Sequence, residues 1–113
     1  MAGVNMKRLL VLLAFGPLFG SPVRAEFYTG NELLQRMQSD SVIEKSVALG
    51  FVAGVADTME GILICSPDYA TTGQARDVVF RHLLLNPQSR HKTAAALAVD
   101  ALSAAWPCKR SGK

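Results

Sequence analysis

The stretch that decides the fold is GFVAGVADTMEG, residues 50–61. Four positions stand out in this apolar run, spaced by 4, 3 and 4 residues: Gly50, Gly54, Asp57 and Gly61. That spacing places all four on one stripe of an α-helix. Glycine inside a helix costs about 1 kcal/mol relative to alanine, but glycines four residues apart let a second helix approach closely. The spacing therefore predicts a packing groove, with Asp57 as a structural carboxylate bonded to backbone N–H groups or to an arginine.

The helix that carries this stripe extends on both sides of it. Val47, Phe51 and Val55 recur at helical spacing. Ser41 and Glu44 have the spacing of a capping box, in which each side chain bonds the other residue's backbone N–H. We therefore expect the helix to begin after Ser41 and to run to about residue 64.

Three further helices are predicted around this long one. Capping boxes at residues 29–32 and 71–74 begin the first and third helices. The alanine-rich residues 93–105 predict the fourth, which is the expected neighbour of the glycine stripe because its side chains are small. No segment alternates apolar and polar residues as a strand would. The sequence thus predicts an all-α fold, a small four-helix domain with a long central second helix.

The chain begins with the pattern of a secretory signal peptide. Lys7 and Arg8 precede an apolar run, residues 9–19, and a small-residue cleavage site ends at Ala25. The run is 11 residues long, whereas a bilayer core needs about 20. We therefore expect cleavage after Ala25 and no membrane contact afterwards; an uncleaved membrane anchor is the alternative. The predicted divisions are a signal peptide at 1–25, a helical domain at 26–108 and a basic disordered tail at 109–113.

The formal charge of the whole chain overstates how basic the domain is. The chain carries 12 Lys and Arg against 9 Asp and Glu, a net charge of +3. The predicted signal peptide holds Lys7, Arg8 and Arg24 but no acidic residue, so the remainder is balanced. Nucleic-acid binding needs a basic face on the folded domain. We therefore expect no nucleic-acid partner.

Few residues could carry chemistry. Cys65 and Cys108 in an exported chain favour one disulfide. The alternative is a metal site that adds His82 and His91, although zinc ligands usually come in close pairs. Without a metal, His82 is expected to lie in the core, on the apolar face of the third helix.

The sequence offers no catalytic nucleophile or catalytic motif. Oxidised cysteines offer no thiolate, and no phosphate loop, G-x-S-x-G elbow or H-E-x-x-H motif occurs in the sequence. A catalytic Asp57 would need a second carboxylate or a histidine on its stripe. The sequence thus predicts neither an enzyme nor a cofactor.

Two polar loops, residues 66–72 and 87–92, are the candidates for recognition. Loops held by a rigid scaffold often carry function, and tyrosine and arginine are favoured anchors at protein interfaces. Ordinary solvated connection is the alternative for each loop. The predicted partner-binding residues are Asp68, Tyr69, Gln88, Arg90 and His91.

Five segments, taken in order, resemble the Rap/Tai immunity-protein family of type VI secretion systems. They are FYTGNELL (27–34), GFVAGVAD (50–57), CSPDYATTGQ (65–74), NPQSRH (86–91) and WPC (106–108). The resemblance implies a small all-α periplasmic protein, often a homodimer, that binds a peptidoglycan amidase delivered by neighbouring cells. Such a protein inhibits the amidase by blocking its active-site cleft, commonly with a protruding loop and an adjacent helix.

The resemblance also assigns roles to particular residues. Cys65 and Cys108 match the family's disulfide, while Gly50, Gly54 and Asp57 match its central helix motif. Many members carry a second cysteine pair near the positions where this chain has methionine and alanine, so no second disulfide is expected. The family's inhibitory loop does not match residue by residue. The alternative function is an orphan envelope adaptor or structural binding domain of the same fold without a toxin partner.

Overall fold

The computed structural model describes residues 27–109. Within that range the chain forms four α-helices, one 3₁₀ turn and no β-strand. The elements are α1 (Gly30–Met37), α2 (Val42–Met59), α3 (Thr72–Leu85), the 3₁₀ turn Pro87–Ser89 and α4 (Ala94–Ala105). The predicted all-α fold of four helices is confirmed. The predicted signal peptide, and the basic tail after Lys109, lie outside the described residues.

A side chain accepts from one of the first backbone N–H groups of each α-helix. At α1, the Thr29 hydroxyl accepts from the Glu32 N–H, and the Glu32 carboxylate accepts from the Thr29 N–H, both at 3.2 Å. α3 begins with the same reciprocal pair, so two predicted capping boxes form. At α2 only half of the box forms: Ser41 caps the Glu44 N–H at 3.3 Å, but the Glu44 carboxylate pairs with Arg36 of α1 instead. A contact between helices thus replaces a local one.

The core lies where the four helices meet. Every helix contributes buried apolar side chains, and burying one aliphatic side chain of this kind stabilises the fold by about 1.5–3 kcal/mol. The largest fully buried side chains are Leu33, Val52, Ile64, Val79, Leu83 and Leu102. No helix within residues 27–109 combines the length and apolarity that a bilayer span needs.

α2 is the longest helix and the least buried for its length. Of its 18 residues only Ala48 and Val52 are buried, while Phe51 and Val55 are partly buried against the core. Several of its other apolar side chains are open to solvent, including Ile43, which is 76% exposed. α2 therefore rests on the core through one narrow face.

α2 ends at Met59, five residues before its predicted end. Gly61 has a φ of +79°, a left-handed conformation that glycine adopts without strain. The three N–H groups after Gly61 all point to the Met59 carbonyl oxygen, at 3.0, 3.1 and 3.2 Å, and the Gly61 N–H donates to the Ile64 carbonyl at 2.8 Å. Residues 60–64 therefore form a tight turn whose backbone polar groups are satisfied locally. Gly61 is a turn glycine and not part of a helical stripe.

The predicted disulfide between Cys65 and Cys108 is present. It joins residues 43 apart in the sequence, with 4.9 Å between their Cα atoms. The Cys65 N–H also donates to the Trp106 carbonyl oxygen at 2.9 Å, which ties the same two segments together. Closing a loop of this length removes chain entropy from the unfolded state, which stabilises the fold by about 4 kcal/mol. Because the two sulfur atoms bond each other, the alternative of a metal site that uses them is excluded.

Candidate partner-binding surfaces

The glycine stripe of α2 faces solvent. A Cβ atom built on Gly50 or Gly54 meets no atom within 4 Å, so the predicted tight crossing with the alanine-rich helix is wrong for the described chain. The reason is the angular position of the glycines around the helix axis. Ala48 and Val52 face the core, and each precedes one of these glycines by two residues. Two residues are about 200° around a helix. Gly50 and Gly54 therefore point away from the core.

These glycines continue an apolar ridge that runs along the outside of α2. Ile43, Val47, Gly50 and Gly54 follow one another at helical spacing, and all four are exposed. We call this set the outer α2 stripe. Apolar surface that remains in contact with water in a folded domain marks an interaction site when it is contiguous. The outer α2 stripe is therefore a candidate protein–protein contact.

Asp57 does not have the predicted structural partner. Within residues 27–109 no hydrogen bond or ion pair reaches its side chain, which is exposed. It lines a small cleft of about 160 Å³ with Glu60, Ser66 and Trp106. The cleft thus holds a second carboxylate, which the helical stripe did not predict because Glu60 lies beyond the end of α2.

Glu60 braces the 60–64 turn. Its carboxylate accepts from the Ser66 N–H, at 3.0 and 3.3 Å to its two oxygens. Hydrogen bonds from the Ser66 side chain and backbone lower the pKa of the Glu60 carboxyl from its ordinary value of 4.5. A general acid near neutral pH needs a raised pKa. The carboxylate of Glu60 is therefore suited to holding the chain and not to donating a proton.

The two predicted recognition loops lie at opposite ends of α3. The 66–72 loop precedes the helix and the 87–92 loop follows it. A helix of 14 residues is about 20 Å long. Asp68 and Tyr69, both exposed, are thus separated from the second loop by about the length of α3. The five predicted contact residues do not form one continuous surface.

The second loop is bound to the beginning of α1. The Arg90 carbonyl oxygen accepts from the Asn31 N–H at 2.9 Å, and the Lys92 carbonyl accepts from the Gly30 N–H at 2.9 Å. A Cβ atom on Gly30 would overlap the Leu97 side chain and lie 3.0 Å from the Arg90 carbonyl oxygen. Gly30 is therefore the glycine that a close approach requires, and the sequence pattern did not identify it.

The remaining predicted residues of this region differ in exposure. Gln88 and His91 are exposed, whereas Arg90 is half-buried. The Arg90 Nε atom is buried without a hydrogen-bond partner in residues 27–109, and Arg90 lines an open cleft along α1 with Asn31 and Asp40. Gln88 and His91 are thus the residues of this loop that a partner can reach most easily.

The prediction that His82 is a core residue is wrong, because its side chain is only partly buried. His82 lines a groove of about 390 Å³ between α3 and α4, together with Arg81 and Leu85. Its carbonyl oxygen accepts from the Asn86 side-chain N–H at 2.9 Å, which caps the end of α3. The described residues include no group of three or more His, Cys, Asp or Glu side chains placed to hold a metal ion.

Sequence reasoning missed the exposed apolar residues of the 60–64 turn. Ile62 and Leu63 are 67% and 48% exposed, although the sequence predicted that both belong to a longer α2 that runs to about residue 64. Gly61 was the available signal, because a glycine just after a helix favours a left-handed ending. Counting Gly61 as part of the stripe concealed that signal.

Comparison with known proteins identifies the family. The description "Rap1a immunity proteins" matches residues 29–108, a range that contains all four helices and both cysteines. No curated protein matches the chain. Membership of an immunity-protein family implies binding to a cognate effector, and inhibition of that effector in place of catalysis. This chain belongs to the Rap1a immunity protein family.

Proposed function

We propose that this protein is a periplasmic immunity protein that binds and inhibits a peptidoglycan amidase effector of a type VI secretion system. Its role is to protect the cell from its own toxin and from that of its siblings. The family match over residues 29–108 carries the proposal. The signal-peptide pattern that ends at Ala25 supports it, because peptidoglycan is reached only by an exported protein. A disulfide is also typical of an exported domain.

Inhibition by steric blocking requires a preorganised surface and no catalytic group. A surface that is already ordered avoids the entropy cost of ordering on binding. The Cys65–Cys108 disulfide and the helix caps at Thr29 and Thr71 hold this small domain in one arrangement. The scaffold is therefore suited to presenting a fixed shape to an enzyme cleft.

The end of the molecule that carries the 66–72 loop is the better candidate for the effector contact. Tyr69 is 77% exposed, and tyrosine is a favoured interface anchor. The second loop is largely engaged in holding α1, and Arg90 is half-buried there. We therefore rank Asp68 and Tyr69 above Gln88, Arg90 and His91 as contact residues.

The outer α2 stripe supports a homodimer as the working form. Two α2 helices that cross at Gly50 and Gly54 can approach to the short end of the usual 8–10 Å axis separation. Ile43 and Val47, which face water in one copy, are buried in such a contact. Sedimentation velocity is the test: we expect a dimer for the natural chain and a monomer for Gly54→Leu. A natural chain that is monomeric at all concentrations would contradict this part of the proposal.

The function is tested with the protein encoded by the reading frame next to this gene. The oxidised immunity protein and that neighbour are purified, combined and separated by gel filtration, and amidase activity on muropeptides is measured. We expect one co-eluting complex without amidase activity. Separate elution, with full activity at excess immunity protein, would contradict the proposal. A neighbour without a cysteine–histidine amidase pattern would favour the orphan envelope adaptor.

A further inference from the structure

The 60–64 turn is ordered and exposes apolar side chains at its tip. Its backbone N–H groups bond within the turn, and Gly61 supplies the left-handed residue that closes it. Ile64, the last residue of the turn, is fully buried in the core. Ile62 and Leu63 lie between these fixed points and extend into solvent, 67% and 48% exposed.

Three further contacts hold the turn in place. The Glu60 carboxylate accepts from the Ser66 N–H. The Cys65 N–H donates to the Trp106 carbonyl oxygen, and the disulfide fixes Cys65 to Cys108. These contacts are formed when the domain folds, so the turn gives up little further entropy on binding. An exposed apolar pair on a rigid support is suited to act as an anchor.

The charge around the turn distinguishes among its possible partners. Between Lys45 and Arg76 the chain has no lysine or arginine, whereas Asp57, Glu60 and Asp68 fall in this segment. Within residues 27–109, Lys109 adds a cation next to Cys108 in the sequence. An acidic flank is repelled by an anionic bilayer, which attracts basic segments. The surroundings of the tip therefore favour a protein pocket with an apolar floor and a basic rim.

A second copy of this chain fits the tip less well. In a two-fold contact the same surface of both copies meets, so that surface must be self-complementary. The tip of the turn instead requires a pocket on its partner. Insertion into the groove between α3 and α4 of another copy would be head-to-tail, and such contacts form open chains unless the rotation closes. The tip is thus separate from the outer α2 stripe, through which a closed dimer can form.

We propose that Ile62 and Leu63 are the apolar anchors of the effector interface, inserting together into an apolar pocket of the effector. This inference rests on the proposed function, because it names the contact by which the effector is held. It places the centre of the interface one segment before Asp68 and Tyr69, which then form its polar rim.

The test compares aspartate substitutions at two exposed apolar sites, one in the 60–64 turn and one at the far end of α3. The first variant carries Ile62→Asp and Leu63→Asp. The control carries Leu85→Asp, at a residue that is 71% exposed and lies at the far end of α3. Affinity for the amidase encoded beside this gene is measured by titration calorimetry, and the melting temperature of each variant is recorded. We expect a loss of roughly 30-fold or more for the turn variant, as for a binding hot spot. The control should stay within about two-fold, and both variants should melt close to the natural chain.

The remaining outcomes overturn the inference in distinguishable ways. Natural affinity in the turn variant would overturn it and leave the proposed function intact. Equal losses in both variants would show a general effect of charge and overturn it as well. If the turn variant lost self-association, or binding to anionic vesicles, and kept its affinity for the amidase, the tip would have a different partner. If the natural chain did not bind the amidase, the proposed function and this inference would fail together.

Discussion

Gly30 and Gly54 are both helical glycines of a small domain, yet the structure uses them in opposite ways. Gly30 lies in the first turn of α1, where Leu97 and the Arg90 backbone occupy the space that a Cβ atom would need. Gly54 lies in the middle of α2, where the corresponding space is open. A glycine required by close packing and a glycine on a free surface thus coexist in one chain. The first holds the fold together, and the second leaves room for a partner.

The two glycines mark two kinds of surface: one that the chain itself occupies and one that stays open to solvent. The α1 end, where Arg90 and Lys92 bond to the beginning of the helix, is occupied by the chain itself. The outer α2 stripe and the 60–64 turn expose apolar side chains that nothing in the described chain covers. In a family of effector-binding proteins, uncovered apolar surface is where binding energy is available.

The largest expected effect on stability comes from the disulfide, and the effects of the glycines can be compared with it. Replacing Cys65 and Cys108 with serine should lower the free energy of unfolding by about 4 kcal/mol, because it releases the entropy of a long loop in the unfolded chain. Urea denaturation of the natural and double-serine proteins measures the difference. A change well below 1 kcal/mol would mean that the Cys65–Trp106 hydrogen bond and the core fix this end of the domain without the disulfide.

Gly30→Ala is expected to lower the free energy of unfolding by about 1–3 kcal/mol, since overpacking a filled site forces side chains or backbone to shift. The matched control is Gly73→Ala, in the first turn of α3, where the nearest atom to a new Cβ is the Thr71 hydroxyl oxygen at an ordinary 3.8 Å. Thermal melting of both variants checks the pair. Equal melting temperatures would show that residues 90 and 97 move aside without cost, and would contradict the claim that close packing requires Gly30.

Gly50→Ala and Gly54→Ala should act in the opposite direction. Each is expected to raise the stability of the folded chain by about 0.5–1 kcal/mol, because alanine favours the helix and meets no neighbour. The melts should be repeated at low and high protein concentration, since a dimer through the outer α2 stripe would reduce the gain at high concentration. Destabilisation at every concentration would mean that the stripe is covered within a single chain.

The smallest expected effect concerns the pH dependence of stability through Glu60. Its pKa is lowered in the folded state, so its contribution is present above the ordinary value of 4.5 and is lost as the pH falls through the lowered pKa. Glu60→Gln should therefore make stability slightly less sensitive to acid between neutral pH and pH 3. The urea midpoints of the two proteins across this range measure the difference. If both midpoints changed with pH in the same way, the charge of Glu60 would make no contribution to stability.

Local signals in the sequence predicted local structure correctly. The capping boxes at Thr29 and Thr71 form because both members of each pair lie within one helical turn. Pairing of the two cysteines followed from their number and from the export signal. The Ser41 box formed only by half, because Arg36 approaches Glu44 from another helix, and no pattern around residue 41 contains that information.

Long-range packing accounts for the errors. The spacing of Gly50 and Gly54 identifies a stripe, but only the burial of Ala48 and Val52 shows which way it points. The need for glycine at position 30 arises from residues 90 and 97, far away in the chain. Exposure of Ile62 depends on one dihedral angle at Gly61, which periodicity does not report.

The central claim is that this protein acts by binding an effector tightly through preformed surfaces. It is tested most directly by titrating the oxidised protein into the protein encoded by the neighbouring reading frame, the proposed amidase, while following muropeptide cleavage. We expect a linear loss of activity that reaches zero at one immunity chain per amidase. Activity that stays constant through a large excess of this protein would contradict it.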